Sequence, residues 1–350
     1  MPKRPTNILM IAVDSLRRDH MSCYGYQRLT TPHLDQLAAG GVLFENMFSA
    51  YIPTTPGYAT MLTGRDVMAT SQVCLGAKHP LHPDQPTLPE ILREHGYVST
   101  CVGFDGSFYR GFDKYEGYAA WGSWADNPLR KAENLNEKAI PALEDMAGQP
   151  FLLFLRHMDP HTPYLPPPPF NQMFYSGDPC AKDNKSMDPV FAFKPFADYF
   201  ASWMPPGITD INWALAMYDS ELAYMDTCIA RLFARLGELG LSENTLIVLT
   251  SDHGETLDEH DCWFDHHGTY EPTLRVPLVL YQPGNRQLPP GKRVKGYVLL
   301  EDIVPTLLDL LGLKKDLRNI EFDGHSAMQL VRGKRRNWRT EFYITECTWM

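Results

Sequence analysis

Apolar residues in this chain gather in short, nearly unbroken runs. Longer stretches separate them, in which apolar residues return every three or four positions. The runs are Ile8 to Val13, Val98 to Val102, Phe151 to Leu155, Leu246 to Leu249 and Val276 to Tyr281. They are too short for ordinary helices and do not alternate with polar residues, so they predict strands covered on both faces. The intervening spacing predicts helices over Pro32 to Ala39, Pro56 to Thr63, Leu88 to His95, Ile211 to Leu239 and Glu301 to Leu311. The longest carries Leu215, Leu222, Met225, Ile229, Leu232 and Leu236 close to a helical repeat. Strands alternating with helices predict an α/β/α sandwich around a mostly parallel sheet. Such sheets bind ligands beyond the carboxyl ends of their strands. The stretch 160–206 breaks the pattern with Pro163, the run Pro166 to Pro169 and a polar segment from Asp178 to Lys185. Proline cannot donate to a sheet ladder, so this stretch is expected to form a lid or excursion outside the core.

Composition narrows the partners. The chain has 350 residues, 44% of them hydrophobic, enough for a large core, and 32 basic against 42 acidic residues give a formal charge of −10. That balance excludes a nucleic-acid or anionic-membrane surface as the main partner. It leaves room for a small anionic substrate, because a bound divalent metal inverts the local field. No apolar run approaches the roughly 18–20 residues of a bilayer span. The basic start Met1 to Arg4 leads only into the short run ended by Asp14, which reads as a first strand and not a signal peptide. Seven scattered cysteines without a CxxC pair suit reduced thiols and a cytoplasmic location.

Chemistry concentrates at strand ends. Thr250-Ser251-Asp252-His253-Gly254-Glu255 follows the run Leu246 to Leu249, and Asp14 ends the first strand in the same manner. A carboxylate and an imidazole leaving a buried strand suit a divalent metal. The alternative for each acid is to cap the next turn; the shared strand context favours metal. In Pro53-Thr54-Thr55-Pro56-Gly57, either threonine can cap the helix that follows. Functionally, Thr54 at a helix N-terminus has a dipole able to stabilise an alkoxide and a bound phosphate.

With these residues in place, the chain resembles the sulfatase/alkaline-phosphatase superfamily over nearly its whole length. Sulfatases carry a Cys-x-Pro-Ser-Arg stretch followed by Leu-Thr-Gly-Arg, and Leu62-Thr63-Gly64-Arg65 sets the register. The resemblance then places Thr54 on the nucleophile, Pro56 on the motif proline, Gly57 on the serine and Tyr58 on the arginine. Asp14 falls on the first acid of the N-terminal metal motif, with Ser15 in place of a second acid. Asp252 and His253 fall on the C-terminal metal pair. Asp159-Pro160-His161-Thr162-Pro163-Tyr164, Tyr270-Glu271 and Arg275-Val276-Pro277 match further active-site stretches.

The departures bear on substrate. Threonine cannot be converted to formylglycine, so none is expected, and threonine here is typical of members that hydrolyse phosphate esters. Position 266, a substrate-binding lysine in many sulfatases, is histidine, followed by His267. The resemblance implies a catalytic domain over 1–320 and the start of a truncated C-terminal subdomain over 321–350. It implies one divalent metal held by Asp14, Thr54, Asp252 and His253, and the histidine ligand favours manganese or zinc over calcium. Thr54, His161 and His266 would be catalytic. Asp159, His161, His266 and His267 are candidates for substrate contact or a second ion, with one tight ion favoured. His157 and His260 read as hydrogen-bonded structural residues. The expected reaction is hydrolysis of a phosphodiester or phosphonate monoester through a phospho-threonine. The alternatives are a sulfatase and a degenerate homologue that binds anions without turnover.

Overall fold

A computed structural model describes residues 5–76, 79–104, 110–126, 129–334 and 338–347. Met1 to Arg4 and the terminal Met350 lie outside the described residues. The central sheet uses β1 (Asn7–Val13), β2 (Val42–Phe44), β3 (Val98–Gly103), β4 (Lys114–Gly117), β5 (Phe151–His157), β6 (Thr245–Ser251), β7 (Leu278–Tyr281) and β8 (Lys292–Val294). Across the sheet they run β8-β2-β7-β6-β1-β5-β3-β4. Every neighbouring pair is parallel except those made by β7, antiparallel to both β6 and β2. The fold is therefore the expected mostly parallel α/β architecture.

Both faces are covered by helices α1 (Pro32–Gly40), α2 (Thr54–Thr63), α3 (Leu88–Arg93), α4 (Lys131–Met146), α5 (Ile211–Glu238) and α6 (Ile303–Leu311). In β1, Leu9, Ile11 and Val13 face a core built with α1, α4 and α5. Ile8, Met10 and Ala12 face the core built with α2, α3 and α6. This two-sided burial explains why the central strands are continuous apolar runs.

Two expectations need correction, and one helix was not expected. Val276 to Tyr281 is not one strand. Pro277 breaks it, so Arg275–Val276 joins a small three-stranded sheet while Leu278–Tyr281 enters the main one. Helix α4 escaped the sequence reading because polar residues dominate it and Pro141 lies inside. Its buried Ala132, Leu135, Ala139, Leu143 and Met146 nevertheless form one stripe. The stretch 160–206 is more deeply packed than a lid. Tyr164, Met187, Val190, Phe200, Trp203 and Met204 join the α4–α5 core, while Asp178 to Lys185 is mostly exposed. Apolar side chains between the prolines outweigh the missing ladder donors.

The described part of 321–347 folds back toward α2. The Gly64 carbonyl accepts from the Asp323 amide at 3.1 Å, and Thr345–Glu346 pairs with Tyr51–Ile52. Arg339 closes this return with an ion pair to buried Asp302. Among the described residues, no helix is long and apolar enough to cross a membrane.

Beside that ion pair, burial raises the Glu301 carboxyl to about 8, aided by Asp302 and opposed by Arg339. A carboxyl raised on folding holds its proton more tightly in the folded state. Stability should therefore fall as pH climbs from the unfolded value of about 4.3 through 8. Thermal melts of Glu301→Gln should match wild type near pH 4 and exceed it by several degrees at pH 9. Parallel melting curves at both pH values would contradict this.

Candidate metal and nucleophile site

The register of the central strands builds the site. Val13 on β1 lies beside Ser251 on β6 and His157 on β5, so the residues that follow emerge together at the carboxyl edge. Asp14 donates its amide to the His157 carbonyl at 2.9 Å. Ser15 then takes a left-handed conformation (φ 60°), a strained state for a residue with a side chain. The reversal lets the Leu16 amide reach Ser251 Oγ at 3.1 Å.

Asp14, Asp252 and His253 are buried, and their ligand atoms lie within 4.8 Å of one another. His253 Nδ1 faces the Gly254 carbonyl at 2.9 Å. A carbonyl only accepts, so Nδ1 carries the proton and Nε2 presents its lone pair. That lone pair faces Asp252 Oδ2 at 3.3 Å and Asp14 Oδ1 at 3.6 Å. Neither carboxylate oxygen has a hydrogen-bond partner among the described residues. Buried lone pairs converging with so few donors repel one another, and a divalent cation among them relieves that repulsion. The residues therefore fit a divalent metal.

Thr54 arrives from the other side. Pro53 takes the N-cap of α2 and makes no side-chain cap bond, placing Thr54 in the first turn. Its hydroxyl does not cap the helix and donates instead to His253 Nε2 at 3.0 Å. Two glycines make this approach possible. A Cβ on Gly57 would stand 2.8 Å from the Asp252 carbonyl oxygen, and one on Gly254 would collide with the Pro272 carbonyl.

The electrostatics are divided. Burial raises Asp14, yet Arg156, His161 and His253 outweigh it and hold its carboxyl below the usual range. Burial and then the Asp14 charge push Asp252 well above that range. His253 is lowered to about 3, by burial first and then by His266. Burial also opposes charge on His266, but Asp265 and Glu255 prevail and raise it to about 10. A neutral and a charged imidazole therefore stack with ring centres 4.4 Å apart.

Of the accessory residues, His161 joins this cluster, its ring 5.6 Å from His266. His267 leans outward, stacked on Phe196 at 4.6 Å and paired with Asp265 at 3.0 Å. Asp159 is not brought in. Its buried carboxylate pairs with Lys131 at 3.1 Å, and it belongs to neither candidate ligand group among the described residues. A group that could hold a second ion comprises His253, Glu255 and His266, a different set from that expected. His260 stacks on Tyr270 at 3.9 Å. His157 is buried and lowered to about 4 by desolvation, with Asp159 opposing. Its ring nitrogens find no partner among the described residues, so it is not the hydrogen-bonded residue expected.

Sequence reasoning missed Arg156 and Glu255. Arg156 donates to Asp14 Oδ2 at 2.9 Å and to the Phe104 carbonyl at 3.0 Å, with its guanidinium 4.8 Å from the Tyr58 ring centre. A cation therefore stands over the position where the motif arginine is lacking, committed to Asp14. A charged residue extending the run Phe151 to Leu155 was the available signal. Glu255 accepts from the Tyr164 hydroxyl at 2.6 Å and lies 3.7 Å from His266 Nδ1.

The chain belongs to the sulfatase family, whose model matches residues 6–313. Human iduronate 2-sulfatase is 26% identical over 385 residues, spanning 88% of this chain and 69% of that protein. The multifunctional alkaline phosphatase superfamily protein PehA of Trinickia caryophylli is 27% identical over 415 residues, spanning 96% and 79%. Among solved structures, a phosphonate monoester hydrolase of Agrobacterium radiobacter superposes with a TM-score of 0.76 at 23% identity, covering 96% of this chain and 79% of that one. The phosphonate monoester hydrolase of Silicibacter pomeroyi gives 0.73 at 26% identity, covering 95% and 78%. The chain is thus a hydrolase of the sulfatase/alkaline-phosphatase superfamily.

Two measurements address the site. Asp252→Ala or His253→Ala should reduce bound divalent metal to background in elemental analysis of purified protein; full occupancy in either variant would remove that residue from the ligand set. Arg156→Met should cost about 3–5 kcal/mol in denaturant unfolding of the metal-stripped protein, because Asp14 loses its buried partner. Added metal should recover part of that loss.

Proposed function

We propose that the protein is a metal-dependent hydrolase of small anionic phosphate esters, phosphodiesters or phosphonate monoesters, with Thr54 as nucleophile. The observation that carries this reading is the uncapped Thr54 hydroxyl, 3.0 Å from the proton-free nitrogen of His253. Asp14, Thr54, Asp252 and His253 would hold one ion, and the histidine donor favours manganese or zinc over calcium. When bound, such an ion lowers the pKa of the Thr54 hydroxyl and polarises a substrate oxygen.

The chain's own residues carry the remaining steps. Thr54 Oγ forms a bond to phosphorus as the bond to the leaving oxygen breaks, and the N-terminal end of α2 favours the negative charge. His161 donates its Nδ1 proton to the Thr162 carbonyl at 2.8 Å, leaving Nε2 to exchange a proton with the site. Its Nε2 takes up the proton that Thr54 Oγ gives up and delivers it to the departing oxygen. Imidazolium His266, backed by Glu255 and Asp265, contacts a non-bridging oxygen. Water then attacks the phospho-threonine and gives its proton to His161, which returns it to Oγ as the phosphorus–Oγ bond breaks and Thr54 is restored.

Threonine supports phosphorus over sulfur because it offers a plain alkoxide, without the aldehyde hydrate that sulfatases use to release sulfate. The likeness to PehA and to the Silicibacter enzyme supports the same choice. The likeness to iduronate 2-sulfatase supports a sulfate ester as the second reading. A cytoplasmic location belongs to the proposal and rests on seven unpaired cysteines.

Thr54→Ala should lose roughly a thousandfold or more in kcat/KM on every ester, and Thr54→Ser should keep part of the activity. Matched 4-nitrophenyl phosphodiester, phosphonate, phosphomonoester and sulfate substrates decide the class. Repeated turnover of the sulfate ahead of the phosphorus esters would replace the first reading with the second.

A further inference from the structure

Beneath His161 lies a charged cluster that the proposed reaction does not use. Lys131, the first residue of α4, is 1% exposed at its side chain, and its ammonium sits among four oxygens. It donates to the His161 and Pro163 carbonyls, each at 3.0 Å. It also lies 3.1 Å from Asp159 Oδ1 and 3.4 Å from Glu221 Oε1, on α5. Glu221 Oε1 in turn accepts the Leu165 amide at 2.7 Å. One lysine and one glutamate therefore hold the turn through side chain 159, carbonyls 161 and 163 and amide 165.

An apolar residue would fill this space at lower desolvation cost, so stability alone does not explain a buried ammonium. Burial, opposed by Lys131, raises the Glu221 carboxyl well above its usual range. The ammonium does what an apolar group cannot: it fixes the direction of two backbone carbonyls. The ring of His161 is itself set by this backbone, through Nδ1 to the Thr162 carbonyl and the His161 amide to the Met158 carbonyl at 2.7 Å.

We propose that Lys131 is a positioning residue for His161, its ammonium gripping the carbonyls of His161 and Pro163 so that the imidazole meets the leaving-group oxygen. This rests on the reading of His161 as proton donor in the hydrolysis above. Asp159 and Glu221 serve to hold the ammonium in place. The acid that sequence alone directs toward substrate acts here from behind the histidine.

The test compares esters with one phosphorus centre and two leaving groups, 4-nitrophenolate, which departs without a proton, and an alkoxide, which needs one. Lys131→Met alone would strand buried carboxylates. The variant used is therefore Lys131→Met with Asp159→Asn and Glu221→Gln, which removes every charge but also the grip on the carbonyls. We expect His161→Ala to lose about 100-fold in kcat on the alkoxide ester and far less on the nitrophenyl ester. The neutral variant should show the same pattern at unchanged metal content, and adding His161→Ala to it should cost nothing more. Were the neutral variant not to fold, Lys131→Arg would stand in, since a planar guanidinium cannot replace the ammonium between the two carbonyls; the same selective loss is expected. A His161→Ala enzyme with wild-type leaving-group dependence would overturn the proton-donor reading and the proposal with it. A His161 effect that the lysine variants do not reproduce, or losses that multiply when combined, would overturn the role of Lys131 alone.

Discussion

Two aspartates and a histidine lone pair meet in a dry corner of this fold, and like groups so placed repel. The parallel register of β1 and β6 makes the meeting unavoidable, because both strands end at the same edge with Val13 beside Ser251. Arg156 neutralises one carboxylate from the neighbouring strand at 2.9 Å. The second carboxylate is left to a proton or a cation, as the raised Asp252 shows. The arrangement around it either tolerates that unfavourable concentration of negative charge or exploits it.

Labour is divided by kind of segment. Strand ends supply the ligands, because they are anchored on both sides by ladders. A fully buried helix supplies the hydroxyl, with Gly64 in a left-handed turn (φ 70°) closing it after the tenth residue. Loops supply the histidines, and each is tied from behind by charged residues: His161 through Lys131, His266 through Glu255 and Asp265. The loops can present opposite charge states because their surroundings differ. Burial and the neighbouring His266 outweigh Asp14 and strip the proton from His253, whereas Asp265 and Glu255 outweigh burial and keep it on His266.

What the sequence reveals follows the range of the interactions. Long apolar runs, the acids that end them and the helix after Pro53 are local signals that locate β1, β5, β6 and α2, whereas the convergence of Asp14, Thr54, Asp252 and His253 is what the family resemblance implies. The antiparallel β7 depends on how the chain turns after Pro277, and the strands of two or three residues are too short to carry a period. Helix α4 hides behind Pro141 and its polar face. Asp159 was misdirected for a different reason. Its motif neighbourhood points to the site, but its partner Lys131 lies 28 residues earlier in an element that the pattern does not disclose. Arg156 sits in the same blind spot, a functional charge that reads as the tail of a buried strand.

Gly57 rests against the Asp252 backbone with no room for a methyl group between them. Helix and strand therefore meet without a shim, and a displacement of one is passed directly to the other. The first turn of α2, with Thr54, and the Asp252 backbone behave as a single rigid part, whereas His161, His266 and His267 hang on separately anchored turns. A protein so constructed can rebuild its histidine-bearing turns one at a time, while the seam at Gly57 keeps Thr54 and Asp252 in register throughout.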